Sequence, residues 1–457
     1  MASIVKRGKN YSVVYSYVND LGVTKQKWQS CPTYKDAQRT KVEIEHDLMM
    51  GTFVAPVKQT VTEFMKEFVT LYGSQKWGIS MYSSSCGLIS NYIVPIIGHL
   101  EVQSITPRTV DMYIQTLRKT PPVSNKMHKA STKYVQDQTI EKIIKLLRCA
   151  FKQAVRWELI GKNPFDNAIL PRTRYKERDI WDADMIRTAL DACSNPMLYL
   201  SMNLAFACSL RIGEILGLTW DNVHISDEDI AADDAWIYVD KEIARATQAA
   251  IDVIGEKDIY HIFSPVMGNT KTRIVLKKPK TDSSVRKVWL PKTVAYILRK
   301  WQDKQNEIIE MLGDEYQNFN LVLAQSNGRP VDQRMIEKDF NKLKEKAGLP
   351  NVVFHSLRHS STTYKLKLNH GDLKATQGDT GHAEIDMITK VYAHILDEDR
   401  KINAQKFENS FYSSLDLRKV KAPQENSSSF DLAELIRQLQ SSPELASALA
   451  ALLPRVC

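Results

Sequence analysis

Alternation of apolar and polar residues predicts a small β unit at the start of the chain. The stretch YSVVYSYV, residues 11–18, is rich in β-branched and aromatic residues, NDLG after it is a turn signal, and VTKQKWQS predicts a further strand. Thr33 then predicts the start of a helix that runs to about Met50 and ends at Gly51. We therefore predict a three-stranded sheet with one helix. The basic residues of this unit either face water or contact a DNA groove: Lys6, Arg7, Lys9, Lys25 and Lys27.

Helical periodicity dominates residues 57–165. Apolar residues recur at helical spacing from Thr60 to Tyr72, and more clearly from Thr139 to Leu159. The second stretch carries an apolar stripe, which comprises Ile140, Ile143, Ile144, Leu147, Phe151 and Ala154. A basic stripe has spacings of three and four and comprises Lys145, Arg148, Lys152 and Arg156. Such a stripe is usually a solvated face, and it also fits contacts with a phosphate backbone, so the sequence leaves both interpretations open.

Residues 180–415 form the largest block, in which helical patterns again dominate. The segments RIVLKK, 273–278, and VRKVWL, 285–290, predict a β-hairpin joined by PKTDSS. Residues 225–272 before it predict an irregular insertion with one strand, AWIYVD. Together with the earlier segments, this pattern predicts a mainly α fold with small β elements (α+β).

Two segments flank this block. Residues 172–179 predict a charged linker. The tail, 423–457, predicts short amphipathic helices, the last of which has Ser442 as its cap and Pro443 at its first helical position.

Composition narrows the class of protein. A chain of 457 residues is expected to form two to four domains. Apolar runs are too short for a membrane span, and the start MASIVKRGKNYS lacks the apolar core of a signal peptide, so we expect neither. The six cysteines include no CxxC pair, which argues against a zinc site or a disulfide framework and fits a reducing compartment. The net charge of +9 permits a nucleic-acid partner without establishing one.

The stretch FHSLRHSSTTY contains three chemically active side chains. His355 and His359 can hold a metal, the stretch can be an ordinary helix start, or His355 and Arg358 can grip an anion. A metalloenzyme is the weakest of these interpretations, because no carboxylate or cysteine accompanies the histidines at ligand spacing and HExxH is absent. The choice between the others depends on the rest of the chain.

Three further patterns lie in the same block. In ACSLRIGEILGLTW, Arg211 and Glu214 stand three apart, so the carboxylate can hold the guanidinium group rigid. In KPKTDSSVRKVWLP, Lys280 stands where a strand ends, and in TGHAEIDMITKVYAHIL, His382 follows a glycine and precedes Tyr392 by ten residues. Each pattern alone also fits a structural role, as an ion pair, a solvent-facing lysine or a packed tyrosine.

Together these side chains suit a reaction at a phosphodiester. Two arginines can bind it bidentately and stabilise the charge on a pentacoordinate phosphorus. Histidines can donate to its oxygens, and a lysine can protonate the departing sugar oxygen. A tyrosine is a nucleophile where nearby cations favour its phenolate. The guanidinium groups supply the positive charge, so this chemistry requires no metal and no cofactor.

The order Arg, Lys, H-x-x-R, Gly-His and Tyr resembles the tyrosine recombinase (phage integrase) family. The R-x-x-E helix of that family matches Arg211 with Glu214, and its PKT-x-x-S-x-R pattern contains Lys280. The chain departs from the family at Ser209, because a glycine commonly stands two residues before the first Arg, and this affects the backbone fit. The resemblance makes His359 a structural neighbour and implies a catalytic set of Tyr392 as nucleophile with Arg211, Lys280, His355, Arg358 and His382, supported by Glu214.

The resemblance extends to the domain plan. It implies an arm-type DNA-binding domain in residues 1–55, a helical core-binding (SAM-like) domain in 57–170, a catalytic domain in 175–415 and a tail in 416–457. The implied protein is an integrase of a temperate phage or mobile element in the cytoplasm of a bacterial host. It would act as a homo-tetramer on double-stranded attachment sites, with a DNA-bending or excision factor as a further partner.

Two other classes of protein stay open. A type IB topoisomerase shares the chemistry and relaxes supercoils without exchange of partners, although the N-terminal units argue against it. A DNA-binding regulator without catalysis would use only the basic stripe and the N-terminal sheet. Such a regulator would tolerate loss of the Tyr392 hydroxyl, whereas a recombinase would not.

Overall fold

The chain begins with a three-stranded antiparallel sheet that packs on one helix, as the sequence predicts. The structure, a computed structural model, describes residues 2–8, 10–18, 22–50, 53–54, 58–123, 132–171, 179–265, 268, 270–369 and 373–374. Strands β1 (Ser3–Arg7), β2 (Asn10–Val18) and β3 (Thr24–Cys31) pair in that order, and helix α1 (Tyr34–Met50) follows. The Asp36 backbone N–H donates to the side-chain oxygen of Thr33 at 3.1 Å, so Thr33 caps α1 as predicted.

A helical unit follows the sheet. Its helices are α2 (Val61–Phe68), α3 (Ser74–Lys76), α4 (Ile79–Leu88), α5 (Val94–Ile97), α6 (Pro107–Leu117) and α7 (Asp137–Arg156). The π-helical turns Val69–Gly73 and Ile89–Ile93 join α2 to α3 and α4 to α5. The whole predicted apolar stripe lies on α7 and is fully buried. Burial of an Ile, Leu or Phe side chain contributes about 1.5–3 kcal/mol, so α7 is the main support of this unit.

The remaining described elements alternate helices with short strands. The helices are α8 (Ala183–Ala192), α9 (Pro196–Phe206), α10 (Ile212–Leu216), α11 (Asp227–Ala231), α12 (Gln248–Ile254), α13 (Lys292–Leu312), α14 (Gln333–Ala347) and α15 (Ser356–Leu368). The strands are β4 (Val223–His224), β5 (Trp236–Val239), β6 (Glu242–Thr247), β7 (Ile259–Ile262), β8 (Thr272–Lys277) and β9 (Arg286–Trp289). The segment 225–272, predicted as irregular with one strand, is therefore more ordered than the sequence indicates.

The two predicted strands of the hairpin are present, but each pairs with an earlier strand. Strand β8 pairs with β6, with Glu242 opposite Lys277, and β9 pairs with β5, with Val239 opposite Arg286. Strands β5 and β6 follow each other closely in the chain, and their partners β9 and β8 lie on either side of residues 278–285. These residues therefore leave the ladder between the β6–β8 pair and the β5–β9 pair. The predicted hairpin is thus corrected to an excursion from that ladder, and residues 278–285 are called the excursion loop below.

Apolar side chains form three cores in the described part of the chain. The first lies under the N-terminal sheet, and the second lies among α2–α7. The second core also takes in side chains from β6, α12 and β8, namely Ala246, Ala250, Ile251 and Val275. The third core is formed by residues of α8–α10 and α13–α15 together with β5 and β9. The excursion loop therefore leaves the ladder where the second and third cores meet.

Several predictions on domains and sites fall on residues that the structure does not describe. They concern the charged linker 172–178, the sites His382 and Tyr392, and the tail from 416. The bounds of the four predicted domains stay a prediction. No helix within the described ranges combines the length and the apolar character needed to cross a membrane.

Candidate active site

The first arginine motif forms a closed ion pair at the start of α10. Arg211 is the residue before the helix, and its backbone N–H donates to Glu214 Oε2 at 3.0 Å. Its guanidinium Nη1 donates to Glu214 Oε1 at 2.6 Å. The Glu214 side chain is completely buried, whereas about a third of the Arg211 side chain remains exposed, 32%. The buried carboxylate therefore fixes one edge of a guanidinium whose other edge can reach a ligand.

A second arginine, at the start of β9 directly after the excursion loop, binds the same carboxylate. Arg286 Nη2 lies 3.2 Å from Glu214 Oε2, and Arg286 Nη1 donates to the Ser284 carbonyl at 2.9 Å. Arg211 Nη1 also donates to Ser284 Oγ at 3.2 Å, and Ser284 Oγ lies 2.8 Å from Thr281 Oγ1. The far end of the excursion loop is thus hydrogen-bonded to the first arginine motif.

The third guanidinium, that of Arg358, lies deeper. Arg358 is on α15 and is 1% exposed, and its Nη1 donates to the Ser209 carbonyl. Burial first, and then the charge of Arg211, lower the pKa of Arg358 to about 9, although Glu214 opposes this. Arg211 and Arg286 bind the Glu214 carboxylate, and the charge of Arg358 interacts with all three groups, so the four groups carry an excess of positive charge. These four residues are called the arginine cluster below. An anion placed among them would offset the cost of holding the cations together.

Glu214 keeps its charge in this environment. Burial by itself would raise the pKa of its carboxyl, but the charges of Arg286 and Arg211 and the hydrogen bonds from both outweigh burial. The pKa of Glu214 is therefore lowered, and the carboxylate stays ionised beside the guanidinium groups of Arg211 and Arg286.

The two histidines of FHSLRHSSTTY lie next to each other at the start of α15. His355 is the residue before the helix rather than a member of it, and its carbonyl accepts from the Arg358 backbone N–H at 3.2 Å. The rings of His355 and His359 meet edge to face, with centroids 4.9 Å apart. No group of three metal-ligating side chains occurs within the described residues. The arrangement of His355 beside Arg358 fits the anion interpretation.

Neighbouring side chains hold the segment that leads into His355. Lys344 is buried, and its Nζ donates to Asn351 Oδ1 at 2.7 Å and to the Val352 carbonyl at 2.6 Å. Burial lowers the pKa of the Lys344 ammonium. Trp181 Nε1 donates to the Pro350 carbonyl at 3.0 Å. These bonds fix the backbone that presents His355.

Lys280 lies on the excursion loop and is exposed to solvent. It is three residues after the end of β8 and precedes the Thr281–Ser284 hydrogen bond. The structure thus connects the Lys280 loop to Arg211 through Ser284. The described part of the predicted set is brought to one region, and His382 and Tyr392 lie outside the described residues.

The basic stripe on α7 divides into two pairs. Lys145 binds Glu141 at 2.6 Å, and Arg148 Nε donates to the Phe165 carbonyl at 3.0 Å, so these two cations have local structural contacts. Lys152 and Arg156 are exposed. All four line a groove of about 580 Å³, together with Tyr72, Lys76, Cys149 and Gln153. Contacts of the stripe with DNA stay a prediction.

The described lysines of the N-terminal sheet lie on the face that packs on the helix rather than on the open face. Lys25 and Lys27 lie opposite Tyr17 and Tyr15 in the ladder, and directly opposite residues share a face of the sheet. Tyr15 belongs to the core under the sheet, so these two lysines lie on the helix-packed side. Lys6 is exposed and lies opposite Tyr11, hence on the same side of the sheet, and Lys9 lies outside the described residues.

Arg7 and Trp28 form a second feature of this sheet. The Arg7 guanidinium lies 4.4 Å from the centre of the Trp28 ring, and Trp28 is 44% exposed. Trp28 was not among the predicted residues, although an exposed tryptophan next to an arginine is a recognisable binding feature.

Sequence reasoning also passed over three residues in or next to the arginine cluster. Ser284 and Arg286 stand in the quoted PKT-x-x-S-x-R pattern, so the pattern itself was the available signal. Ser361 contacts Ser209, two residues before Arg211. A serine within SSTT gives no indication of such a long-range contact.

Sulfate is expected to bind the arginine cluster and to raise the midpoint of thermal unfolding. A ligand that binds only the folded chain stabilises it, and Arg211 offers its exposed edge to such an anion. Sulfate also stabilises proteins without binding. The rise in the unfolding midpoint in sulfate over that in chloride, at equal ionic strength, should therefore be compared between the native chain and Arg211→Ala. The increment should be smaller in Arg211→Ala. An equal increment in both would place sulfate elsewhere.

Comparison with known proteins shows a match to one family over part of the chain. The phage integrase family matches residues 264–399, which contain Lys280, His355, Arg358, His382 and Tyr392. The chain is 26% identical over 284 residues to the tyrosine recombinase XerC-like protein of Caldanaerobacter subterraneus, and the match covers 60% of the chain and 66% of that relative, just under two thirds. It is 23% identical over 348 residues to the ICEBs1 integrase of Bacillus subtilis, covering 72% of the chain and 82% of that relative.

A solved structure shows the same fold. The integrase of the Tn1549 transposon, in complex with a circular intermediate DNA, matches with a TM-score of 0.56 at 17% identity, over 76% of this chain and 99% of that one. These matches confirm the predicted mainly α fold with small β elements. Residues 264–399 therefore match the phage integrase family, and the chain is similar to tyrosine recombinases and integrases.

Proposed function

We propose that the chain is an integrase that cuts and rejoins attachment-site DNA through a 3′-phosphotyrosyl intermediate, and thereby inserts or excises a phage or other mobile element. The observation that carries this proposal is the arginine cluster, in which Arg211 and Arg286 bind the buried Glu214 carboxylate and the buried Arg358 interacts electrostatically with all three. Preorganised guanidinium groups suit the charge that develops on the oxygens of a phosphodiester in its transition state.

The proposed reaction is a transesterification. The Tyr392 hydroxyl oxygen attacks the phosphorus of one DNA strand, and the bond from that phosphorus to the 5′ oxygen breaks. Lys280 Nζ donates a proton to the departing oxygen, which leaves as a free 5′-hydroxyl. Arg211 and Arg358 bind the non-bridging oxygens throughout.

The second half of the reaction reverses the first on another strand. A 5′-hydroxyl of the partner strand attacks the phosphotyrosyl link, which restores a phosphodiester and releases Tyr392. His355 and His382 donate to the phosphate or assist proton transfer in both halves. One phosphoester bond forms for each that breaks, so the reaction needs neither ATP nor a cofactor.

We propose double-stranded DNA as the substrate and a homo-tetramer as the active assembly. The Tn1549 integrase is in complex with DNA, and relatives include a transposase from transposon Tn916 of Enterococcus faecalis. On this proposal, residues 1–55 bind arm-type DNA, 57–170 bind the core site and 175–415 catalyse, in the bacterial cytoplasm. The tail, 416–457, would bridge protomers, and a DNA-bending or excision factor would join them.

A covalent adduct on Tyr392 tests the proposal. The full chain is incubated with a pool of nicked duplexes of random sequence, in which loss of a short fragment prevents religation. Trapped DNA is recovered with the denatured protein and sequenced, and the modified peptide is mapped. We expect an adduct at Tyr392 in the native chain and none in Tyr392→Phe.

Tyr296→Phe is the matched control, because Tyr296 is an exposed tyrosine on α13. It should form the adduct at the native rate. DNA binding without any adduct would make the chain a non-catalytic regulator. An adduct accompanied by relaxation of plasmid without exchange of partners would make it a topoisomerase and would refute the integrase proposal.

A further inference from the structure

Ser209 holds an unusual backbone conformation next to the arginine cluster. It lies two residues before Arg211, is fully buried and has a φ of 55°. This left-handed region disfavours any residue with a Cβ, at a cost of about 1–2 kcal/mol, and glycine is the residue that adopts it freely. A serine kept in this conformation points to a role for its side chain.

Both polar groups of Ser209 contact α15. Its hydroxyl oxygen lies 2.6 Å from Ser361 Oγ, and its carbonyl accepts from the Arg358 guanidinium. Ser361 is 1% exposed and Arg358 is equally buried. One residue of the first arginine motif therefore makes two hydrogen bonds to the helix of the second.

The two contacts fall on one face of α15. Ser361 follows Arg358 by three residues, and residues three apart on a helix are neighbours. A hydrogen bond at Ser361 therefore restricts rotation of α15 about its own axis. That rotation determines where the Arg358 guanidinium lies relative to Arg211.

We propose that Ser209 and Ser361 form a positioning pair. The pair fixes the position of the Arg358 guanidinium relative to Arg211, so that both guanidinium groups can contact the scissile phosphate. The pair touches neither DNA nor Tyr392 in this proposal, and it acts only through Arg358. The inference rests on the proposed recombinase reaction. A glycine at residue 209 would adopt this φ without strain but could not form the bond. The hydrogen bond between the two hydroxyl groups links the Arg211 motif directly to the helix that carries Arg358.

Three variants separate the hydrogen bond from backbone strain. Ser209→Gly removes the hydrogen bond and also relieves the backbone strain of the positive φ. Ser361→Ala removes the hydrogen bond alone, and the double variant removes both partners. On a nicked duplex selected from the random pool, each single variant should form the Tyr392 adduct about tenfold more slowly at saturating DNA. The apparent affinity for DNA should be unchanged, and the double variant should be no slower than either single variant because one interaction is lost.

A duplex whose scissile linkage carries no charge distinguishes loss of guanidinium positioning from a general loss of structure. A methylphosphonate at the scissile position replaces one charged oxygen by a methyl group, so placement of the guanidinium matters less. The rate of each variant should then approach that of the native chain on the same duplex. A variant that is merely unstable would lose the same factor on both substrates.

Ser201→Ala is the matched control. Ser201 is as buried as Ser209, and its hydroxyl donates to the Met197 carbonyl within α9 at 2.7 Å. This variant should change thermal stability without a change in the adduct rate. Native rates in Ser209→Gly and Ser361→Ala, or an equal loss on the methylphosphonate, would overturn the positioning pair. Absence of any adduct in the native chain would instead refute the proposed function.

Discussion

Replacement of Arg358 by lysine should slow formation of the Tyr392 adduct by about 10²–10³-fold at saturating DNA. Lysine retains the positive charge but lacks the planar fork of donors, so it cannot donate to the Ser209 carbonyl and to a phosphate oxygen at once. Because Arg358 is buried on α15, water cannot supply the hydrogen bonds that the lysine side chain fails to make. Single-turnover cleavage of a nicked duplex measures the effect.

The control for Arg358→Lys is an arginine outside the cluster. Arg187 lies on α8, is largely exposed and binds Asp184 at 2.8 Å. Arg187→Lys should cleave at the native rate. A loss of less than about tenfold in Arg358→Lys would mean that charge alone suffices at this position, and the proposed bidentate contact would be abandoned.

Replacement of Glu214 by glutamine should lower the free energy of unfolding by about 3–5 kcal/mol at neutral pH. The amide is nearly the same size as the carboxylate but carries no charge, so Arg211 and Arg286 lose the anion that offsets their repulsion. Because the Glu214 side chain is completely buried and that of Arg286 is 8% exposed, water screens Arg286 only weakly, whereas it reaches the exposed edge of Arg211. Urea denaturation followed by circular dichroism measures the difference.

The effect of Glu214→Gln should depend on pH in a defined direction. The pKa of Glu214 is lowered from 4.5 in the folded chain, so its contribution to stability is complete above pH 4.5 and is lost as the pH falls through the folded value. The gap between native chain and variant should therefore close in acid. Glu43→Gln serves as the control, because Glu43 pairs with Arg39 at an exposed site and should cost under about 1 kcal/mol. A gap that is constant with pH would exclude the ion-pair explanation.

Periodic segments were the most predictable part of the fold. The apolar stripe of α7 and the Thr33 cap of α1 are local features, and each follows from the spacing of residues within one helix. The Arg211–Glu214 contact is equally local, because three-residue spacing brings the two side chains together. Local geometry thus explains why these predictions match the structure.

Long-range contacts were the part that sequence patterns could not supply. The strands that flank Lys280 suggested a hairpin because they are adjacent in sequence, yet their partners are the earlier strands β5 and β6. The contact of Ser209 with Ser361 spans most of the largest block, and neither serine stands out in composition. Pairing across such distances depends on the packed fold, which one sequence does not encode as a visible pattern.

The nesting of the strand pairs affects the entropy of assembling the cluster. Once β6 and β8 are joined, the ends of β5 and β9 are already adjacent, and only the excursion loop remains to be closed. Loop-closure entropy grows with the length that is closed, so this order costs less than joining β5 to β9 directly. Arg286 lies on β9 and reaches Glu214 only in the last closure. In that order of assembly, the mutually repelling guanidinium groups would meet after the sheet that restrains them has formed.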